Sequence, residues 1–378
     1  MIRYDCRHWL ASRPCSFNKR EDAECPDCRH FSGYRDRILF IKLDAIGDVL
    51  RSASLLPAVA ARHDRPYIAW LTRPEAADLV GMMTWVDEVV TLAPAGLARI
   101  ATGAWTQVYS LSNDLPSASL ATLAVGSRPP VGFFARDGVV TPSNAAAEAW
   151  LEMAAFDRLK RRNGTTYQAR MLAILGAEGP PPPPALRMDA VPAAQARQRV
   201  AALLRGSRRR RVALNLGSGG RWPKKMLDVA QTVRTVRALL AAAADVDVLL
   251  VGGAAERAKA AAVCAECDPA RVVAALTPAA VGAFIAMLMQ ADVLLCGDTL
   301  ALHVASAIGL PTVAIFGPTS HAEIADFDGL IEKVFTPALD CLGCYGDCDK
   351  AETCMSLLDP ADLAARVLAR LPPAAERS

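Results

Sequence analysis

The chain has 378 residues, of which 52% are apolar, 21% charged and 6% aromatic. That composition must bury a large core, which excludes disorder, and the length exceeds one ordinary domain, so two are expected. Lys and Arg number 42 against 39 Asp and Glu, a net charge of +3, too balanced for a nucleic-acid scaffold; 11 cysteines are too few for a disulfide framework in so long a chain.

The start, MIRYDCRHWL, carries Asp5, Arg7 and His8 and lacks the apolar run of a secretory signal. No apolar window long enough to span a bilayer escapes charge. A cytoplasmic location is expected, where clustered cysteines are more often metal ligands than disulfides. Residues 1–35 read as a cysteine-rich extension. From Arg37 the pattern changes to short apolar runs alternating with helices. RILFIK is a strand, LDAIGD a loop and VLRSASLLPAVAARH a helix; YIAWLT, DEVVTLA, TQVYSLS and RPPVGFF follow as strands, and 144–175 as a helical region. This alternation indicates a parallel α/β sheet, giving a first domain over 36–178.

Five prolines, Pro180 to Pro184, cannot sit in a helix or central strand, so 179–205 is a linker with a connecting helix. The run RGSRRRR at 205–211 is read as the solvated end of the helix before the next strand. The second domain, 206–358, repeats the α/β logic. VALNLG is a strand, a helix runs from about Met226 to Ala243, and VDVLLVGG is a strand. VGAFIAMLMQ is a helix, ADVLLCG a strand, TLALHVASAIG a helix and PTVAIFG a strand. Residues 359–378 are a closing helix and tail.

Four strand-end turns carry chemistry, since open α/β sheets bind ligands at the carboxyl ends of their strands and helix starts favour anions. In Lys42–Asp48, Gly47 permits a tight backbone. Asp48 is either a first-turn carboxylate or a general base in a cleft. In Leu216–Lys225, the glycines, Ser218 and a lysine can meet a phosphate, although the spacing is not that of a P-loop. In Gly297–His303, Thr299 and adjacent amides can bind phosphate and Asp298 orients the turn; His303 is a core histidine or a ligand-facing one. The fourth is Phe316–Ser320.

The combination of IKLDAIGDVLRSASLLP (41–57), LNLGSGGRWPKK (214–225), LLVGGAAE (249–256), GDTLALHVASAIGLPTVAIFGPTSHAEI (297–324) and CLGCYGDC (341–348) followed by Cys354-Met355 resembles the heptosyltransferase-like glycosyltransferases of family nine, over about 36–360. The resemblance implies a GT-B fold, two facing Rossmann-like domains. It also implies inverting transfer of a heptose-like sugar from a nucleotide-diphosphate donor, ADP-heptose, to a glycan, lipid-linked glycan or protein. In that reading Asp48 is the base. Lys225, with Lys224 adjacent, binds phosphate together with Ser218, Asp298, Thr299 and His303. Glu256 falls near the nucleoside and Met287 near the adenine. The nucleotide-sugar is the expected partner, at the inner face of the cytoplasmic membrane, with no nucleic acid and no catalytic divalent metal. Two departures bear on the donor. Met226-Leu227 replaces the usual second tryptophan, and Leu300 is bulkier than the glycine of the usual turn. Competing readings are a different nucleotide-sugar donor, or an inactive metal-binding scaffold.

Cys341, Cys344, Cys348 and Cys354, in C-x2-C-x3-C-x5-C, are four soft ligands for structural iron or zinc. The resemblance includes a protein-heptosyltransferase branch with an iron-binding cysteine finger near this position. Cys6, Cys15, Cys25 and Cys28 are a second, looser candidate set. Cys264 and Cys267 have a redox spacing at a helix edge, and Cys296 reads as buried.

Overall fold

The computed structural model describes residues 1–218, 223–278, 280–336, 339–346 and 348–373. Gly219 to Trp222 of the glycine-rich turn and the last residues of the tail lie outside the described residues.

The chain forms two compact units, each built on a six-stranded sheet. The first sheet contains β1 (Arg37–Ile41), β2 (Tyr67–Thr72), β3 (Glu88–Thr91), β4 (Gln107–Ser110), β5 (Val131–Arg136) and β6 (Val139–Pro142), in the order β3-β2-β1-β4-β5-β6. All neighbours are parallel except β5 and β6, which form an antiparallel edge pair. β1 is buried on both faces from Ile38 to Ile41, as a parallel strand covered by helices must be. Phe40, Trp70 and Tyr109 pack as neighbouring rings across β1, β2 and β4.

The second sheet contains β7 (Arg210–Asn215), β8 (Val246–Val251), β9 (Val272–Ala274), β10 (Val293–Gly297), β11 (Thr312–Ile315) and β12 (Ile331–Val334). Its order is β12-β11-β10-β7-β8-β9, parallel throughout. Counted within each unit, both sheets have strand order 3-2-1-4-5-6, the doubly wound Rossmann order. The strand direction of progression therefore reverses between β1 and β4 in one unit and between β7 and β10 in the other.

Local chemistry accounts for the helix ends. The Val229–Ala242 helix starts later than the apolar pattern suggests because Asp228 forms a capping box with Gln231. The 144–175 region is three helices, Ala145–Ala155, Asp157–Arg162 and Tyr167–Leu175. Gly309, at φ 68°, ends the Leu300–Ile308 helix in the left-handed conformation glycine tolerates.

Residues 1–35 join the first unit and do not form a unit of their own. The second unit takes, besides 181–378, the segments 46–54 and 152–169. Two arginines of the Arg208–Arg211 run are ion-paired. Arg210 makes a forked pair with Asp245, Arg209 meets the fully buried Asp247, and Arg211 is itself buried. Among the described residues no helix is long and apolar enough to cross a membrane.

Candidate active site

Ile46–Ser52 is a helix with Asp48 in its first turn. Asp48 lies with the second unit by its contacts, and so does everything that surrounds it below. Its carboxylate pairs with Arg51 one turn on (Oδ1 to Nη2, 2.6 Å). Arg51 is 14% exposed, stacks over the Tyr167 ring at 3.8 Å and lies 4.0 Å from Glu323. Burial opposes its charge, but Asp48 and the other partners outweigh burial and hold the guanidinium above its usual pKa. Glu323 accepts a hydrogen bond from the Tyr345 hydroxyl (2.9 Å), which in turn accepts one from the Ser320 amide (3.2 Å). A chain of contacts therefore runs from Asp48 through Arg51 and Glu323 to Tyr345.

Tyr345 belongs to the cysteine finger. The finger rests on the turn after β11, because the Gly343 amide donates to the Gly317 carbonyl and the Tyr345 amide to that of Pro318 (2.9 and 2.8 Å). Gly317 is required there, since a Cβ would collide with the Cys354 thiol and lie 2.9 Å from Met355 Sδ. Burial raises the Cys354 thiol pKa, and charge on Cys344, Cys341 and Cys348 raises it further. Lys350 donates to Cys341 Sγ (3.3 Å).

The two lysines after the glycine-rich turn face different ways. Lys225 Nζ donates to the Asp298 carbonyl (3.2 Å) and carboxylate (3.3 Å), whereas Lys224 Nζ donates to the Cys348 carbonyl. Gly297 makes the first approach possible, because a side chain there would strike the Lys225 carbonyl. Burial pushes the Asp298 carboxyl up, but the surrounding charge, Lys225 foremost, holds it below the usual carboxylate range. The Asn215 amide donates to the Gly217 carbonyl (2.6 Å) and to Thr299 Oγ1 (3.3 Å), linking the carboxyl ends of β7 and β10. That is where the strand order reverses, the usual ligand position in such sheets. Thr299 is the N-cap of the Leu300–Ile308 helix without using its side chain as the cap.

His303, one turn into that helix, is buried. Its Cδ2 would lie 2.8 Å from a Cβ on Gly47, so this glycine seats the Asp48 helix against the histidine. Burial and then the Arg51 charge pull the imidazole pKa down to about 4, against the opposing effect of Asp298 and Asp48. His303 is therefore neutral at neutral pH and adds no charge beside Lys225.

The remaining predicted residues are separated from this centre in role. Glu256 accepts from the Gly253 amide (2.8 Å), with its carboxylate close above Gly217. Met287 is fully buried in the Val281–Leu288 helix, and its side chain belongs to the core. Ser218 is partly buried on the loop after β7. Sequence reasoning missed Arg51, Glu323, Tyr345 and Lys259. Lys259 donates to the Leu216 and Leu227 carbonyls (3.2 and 2.6 Å), pinning both ends of the glycine-rich turn. Only Asp48 and Arg51 carried a local signal, the three-residue spacing of a helical ion pair. In the first unit the equivalent turn is tied by Lys42, whose ammonium meets Asp44 (2.8 Å) and the Leu111 carbonyl (2.9 Å).

Burial raises the thiol pKa of Cys264, Cys267 and Cys296, the reverse of an activated redox cysteine. Among the described residues no three or more His, Cys, Asp or Glu side chains are drawn together into a metal-holding set.

The sequence profile of glycosyltransferase family 9 (heptosyltransferase) matches residues 99–352. The chain belongs to glycosyltransferase family 9. It is a glycosyltransferase of heptosyltransferase type with a GT-B fold. Its structure is similar to that of E. coli ADP-heptose lps heptosyltransferase II (15% identity, 88% of this chain and 98% of that one, TM-score 0.65). It is also similar to the family 9 glycosyl transferase of Veillonella parvula (14%, 80% and 86%, 0.63). A third similar structure is the iron-containing dodecameric glycosyltransferase TibC of enterotoxigenic E. coli (12%, 89% and 76%, 0.52). No curated protein matches the sequence.

Proposed function

We propose that this family 9 enzyme transfers a heptose from ADP-heptose, with inversion, to an acceptor hydroxyl on a glycan, lipid-linked glycan or protein. The observation that carries the reading is the gathering of Asp48, Lys225, Asp298, Thr299 and His303 in one unit, where the order of its sheet reverses. The donor assignment draws on the structural similarity to a heptosyltransferase named for ADP-heptose, and to TibC, whose complex contains ADP-D-beta-D-heptose.

In this mechanism the Asp48 carboxylate accepts the acceptor's hydroxyl proton as the oxygen bonds to the anomeric carbon. The bond from that carbon to the diphosphate breaks, and its electron pair leaves with ADP. Lys225 and the amides at the start of the Leu300–Ile308 helix stabilise the leaving charge. Asp298 holds the Lys225 ammonium in place until the diphosphate competes for it. Arg51 fixes the Asp48 carboxylate by a charge-assisted bond, so the base enters the reaction already oriented.

Cys341, Cys344, Cys348 and Cys354 would hold a structural iron or zinc ion. With four protein ligands it would brace the finger and leave no open coordination position. The donor chemistry of four soft thiols in C-x2-C-x3-C-x5-C spacing supports this fit.

Calorimetric titration with a panel of nucleotide-sugars tests the donor, and selective binding of ADP-heptose is expected. Binding of a different nucleotide-sugar alone would overturn the donor assignment. Failure of the whole panel would favour the scaffold reading. Lys225→Ala should weaken donor binding by about tenfold or more, while Lys224→Ala leaves it nearly unchanged. Asp48→Asn should abolish transfer and retain donor binding.

A further inference from the structure

The first 35 residues have an order that their apolar content does not explain. The Ser16–Glu21 helix and the 3-10 turn Cys25–Asp27 bury no residue. Met1, Ile2, Tyr4 and Leu10 are exposed. A segment of this size without a core of its own needs another source of folding free energy, and disulfides or a metal are the usual ones. Its attachment to the first sheet is one ring contact, Tyr34 against Tyr67 at 4.7 Å, and otherwise polar. Arg7 pairs with Asp87 (2.5 Å) and donates to the Pro66 carbonyl, while the Cys6–Gly33 bridge closes the segment on itself.

Cys6, Cys15, Cys25 and Cys28 are spread over more than 20 residues of sequence, and all four line one cavity of about 420 Å³. None is in a disulfide. The other walls are largely apolar, with Trp9, Phe17 and Phe31 among them. Apolar walls lower the local dielectric and strengthen the attraction between thiolates and a cation. Cys15 is the N-cap of the Ser16–Glu21 helix, where its sulfur accepts a hydrogen bond from the Asn18 amide (3.5 Å), which fixes the position of the sulfur at the cavity wall. Cys25 begins and Cys28 caps a single 3-10 turn containing Pro26, the C-x2-C arrangement in which two thiols serve one ion. His8 lines the same cavity, with its ring edge-on against Phe17 at 4.9 Å.

We propose that Cys6, Cys15, Cys25 and Cys28 form a structural site for one tetrahedral zinc ion, and that the ion fastens the amino-terminal segment. Binding releases the thiol protons to solvent, forms four Zn–S bonds and draws the sulfurs inward across the cavity. The free energy of ligation thus becomes folding free energy of the segment. The site is independent of the finger at Cys341–Cys354 and of the transfer reaction.

The test uses the full chain and zinc alone. Elemental analysis of zinc-saturated Cys25→Ser/Cys28→Ser protein should show one zinc equivalent fewer per chain than wild type. A Cys341→Ser/Cys344→Ser variant should keep that equivalent. Thiol alkylation read by mass spectrometry covers the case where a variant does not fold. In the zinc-loaded wild type all four amino-terminal cysteines should be protected, and all four should become reactive together on chelation. Limited proteolysis should then open residues 1–35 while β1 to β5 stay resistant. Unchanged zinc content in the variant overturns the site, as does alkylation of the four cysteines at unrelated rates. Iron with acid-labile sulfide in place of zinc overturns the single-ion assignment.

Discussion

Replacing His303 with Gln removes a titrating group that the fold holds in its neutral form. The imidazole pKa falls from 6.5 to about 4 on folding, because burial and the Arg51 charge outweigh Asp298 and Asp48. The unfolded chain therefore binds a proton that the folded chain refuses between those two values. Stability from this group is complete above about pH 6.5, falls as the pH falls through the window and levels off below the folded pKa. The full difference of about 2.5 units corresponds to about 3 kcal/mol. At about pH 4.5, roughly 2.5 kcal/mol of it should already be lost relative to neutral pH. Urea unfolding of wild type and His303→Gln across this range measures the difference directly. Whatever stability the variant starts from, its loss between neutral pH and about pH 4.5 should be smaller by about that amount. Parallel curves for the two proteins would show that His303 is not held neutral, and the reasoning on its burial would fail.

Arg51→Met leaves Asp48 and Glu323 without their shared cation in a largely buried place, which should cost about 3 kcal/mol of stability in thermal or urea unfolding. Transfer should fall at least about tenfold while donor affinity, read by calorimetry, changes little; equal losses in both would argue against an orienting role. Tyr345→Phe removes only the hydroxyl between Ser320 and Glu323, with an expected cost of about 1 kcal/mol and a smaller loss of transfer than Arg51→Met. Gly317→Ala forces a methyl onto the Cys354 thiol and should cost about 1–3 kcal/mol. It should also weaken the metal binding proposed for the finger, and uptake equal to wild type in that variant would show that the finger does not depend on this seat.

Much of the architecture is written locally. Buried parallel strands such as Val246–Val251 and Val293–Gly297 are near-continuous apolar runs bounded by turn residues, so their positions follow from pattern. The strands that pattern did not reveal are short or half-exposed. Val139–Pro142 is an exposed antiparallel edge, Val272–Ala274 has three residues, and Ile331–Val334 carries Glu332 and Lys333 at its centre. At the site, strand-end turns identified Asp48, Lys225 and Asp298 as a chemistry-bearing set. Adjacency hid the difference between Lys224 and Lys225, because opposite directions of neighbouring side chains depend on the backbone of the turn and on Gly297. Glu323 and Tyr345 had no local signal at all. Each is joined to Asp48 only through folded contacts across long sequence separations.

The Asp48 helix is tied to the second unit, although the strand before it, β1, lies in the first. The chain crosses between the units at 45/46, 54/55, 151/152, 169/170 and 180/181. Exchange of the two halves between related enzymes at the proline run would thus bring Arg51 and Tyr167 from one parent against Glu323 and Tyr345 from the other. Such a chimaera would carry a mismatched contact surface however well each sheet folds. Recombinants should keep their function only when residues 46–54 and 152–169 travel with residues 181–378 as one inherited block.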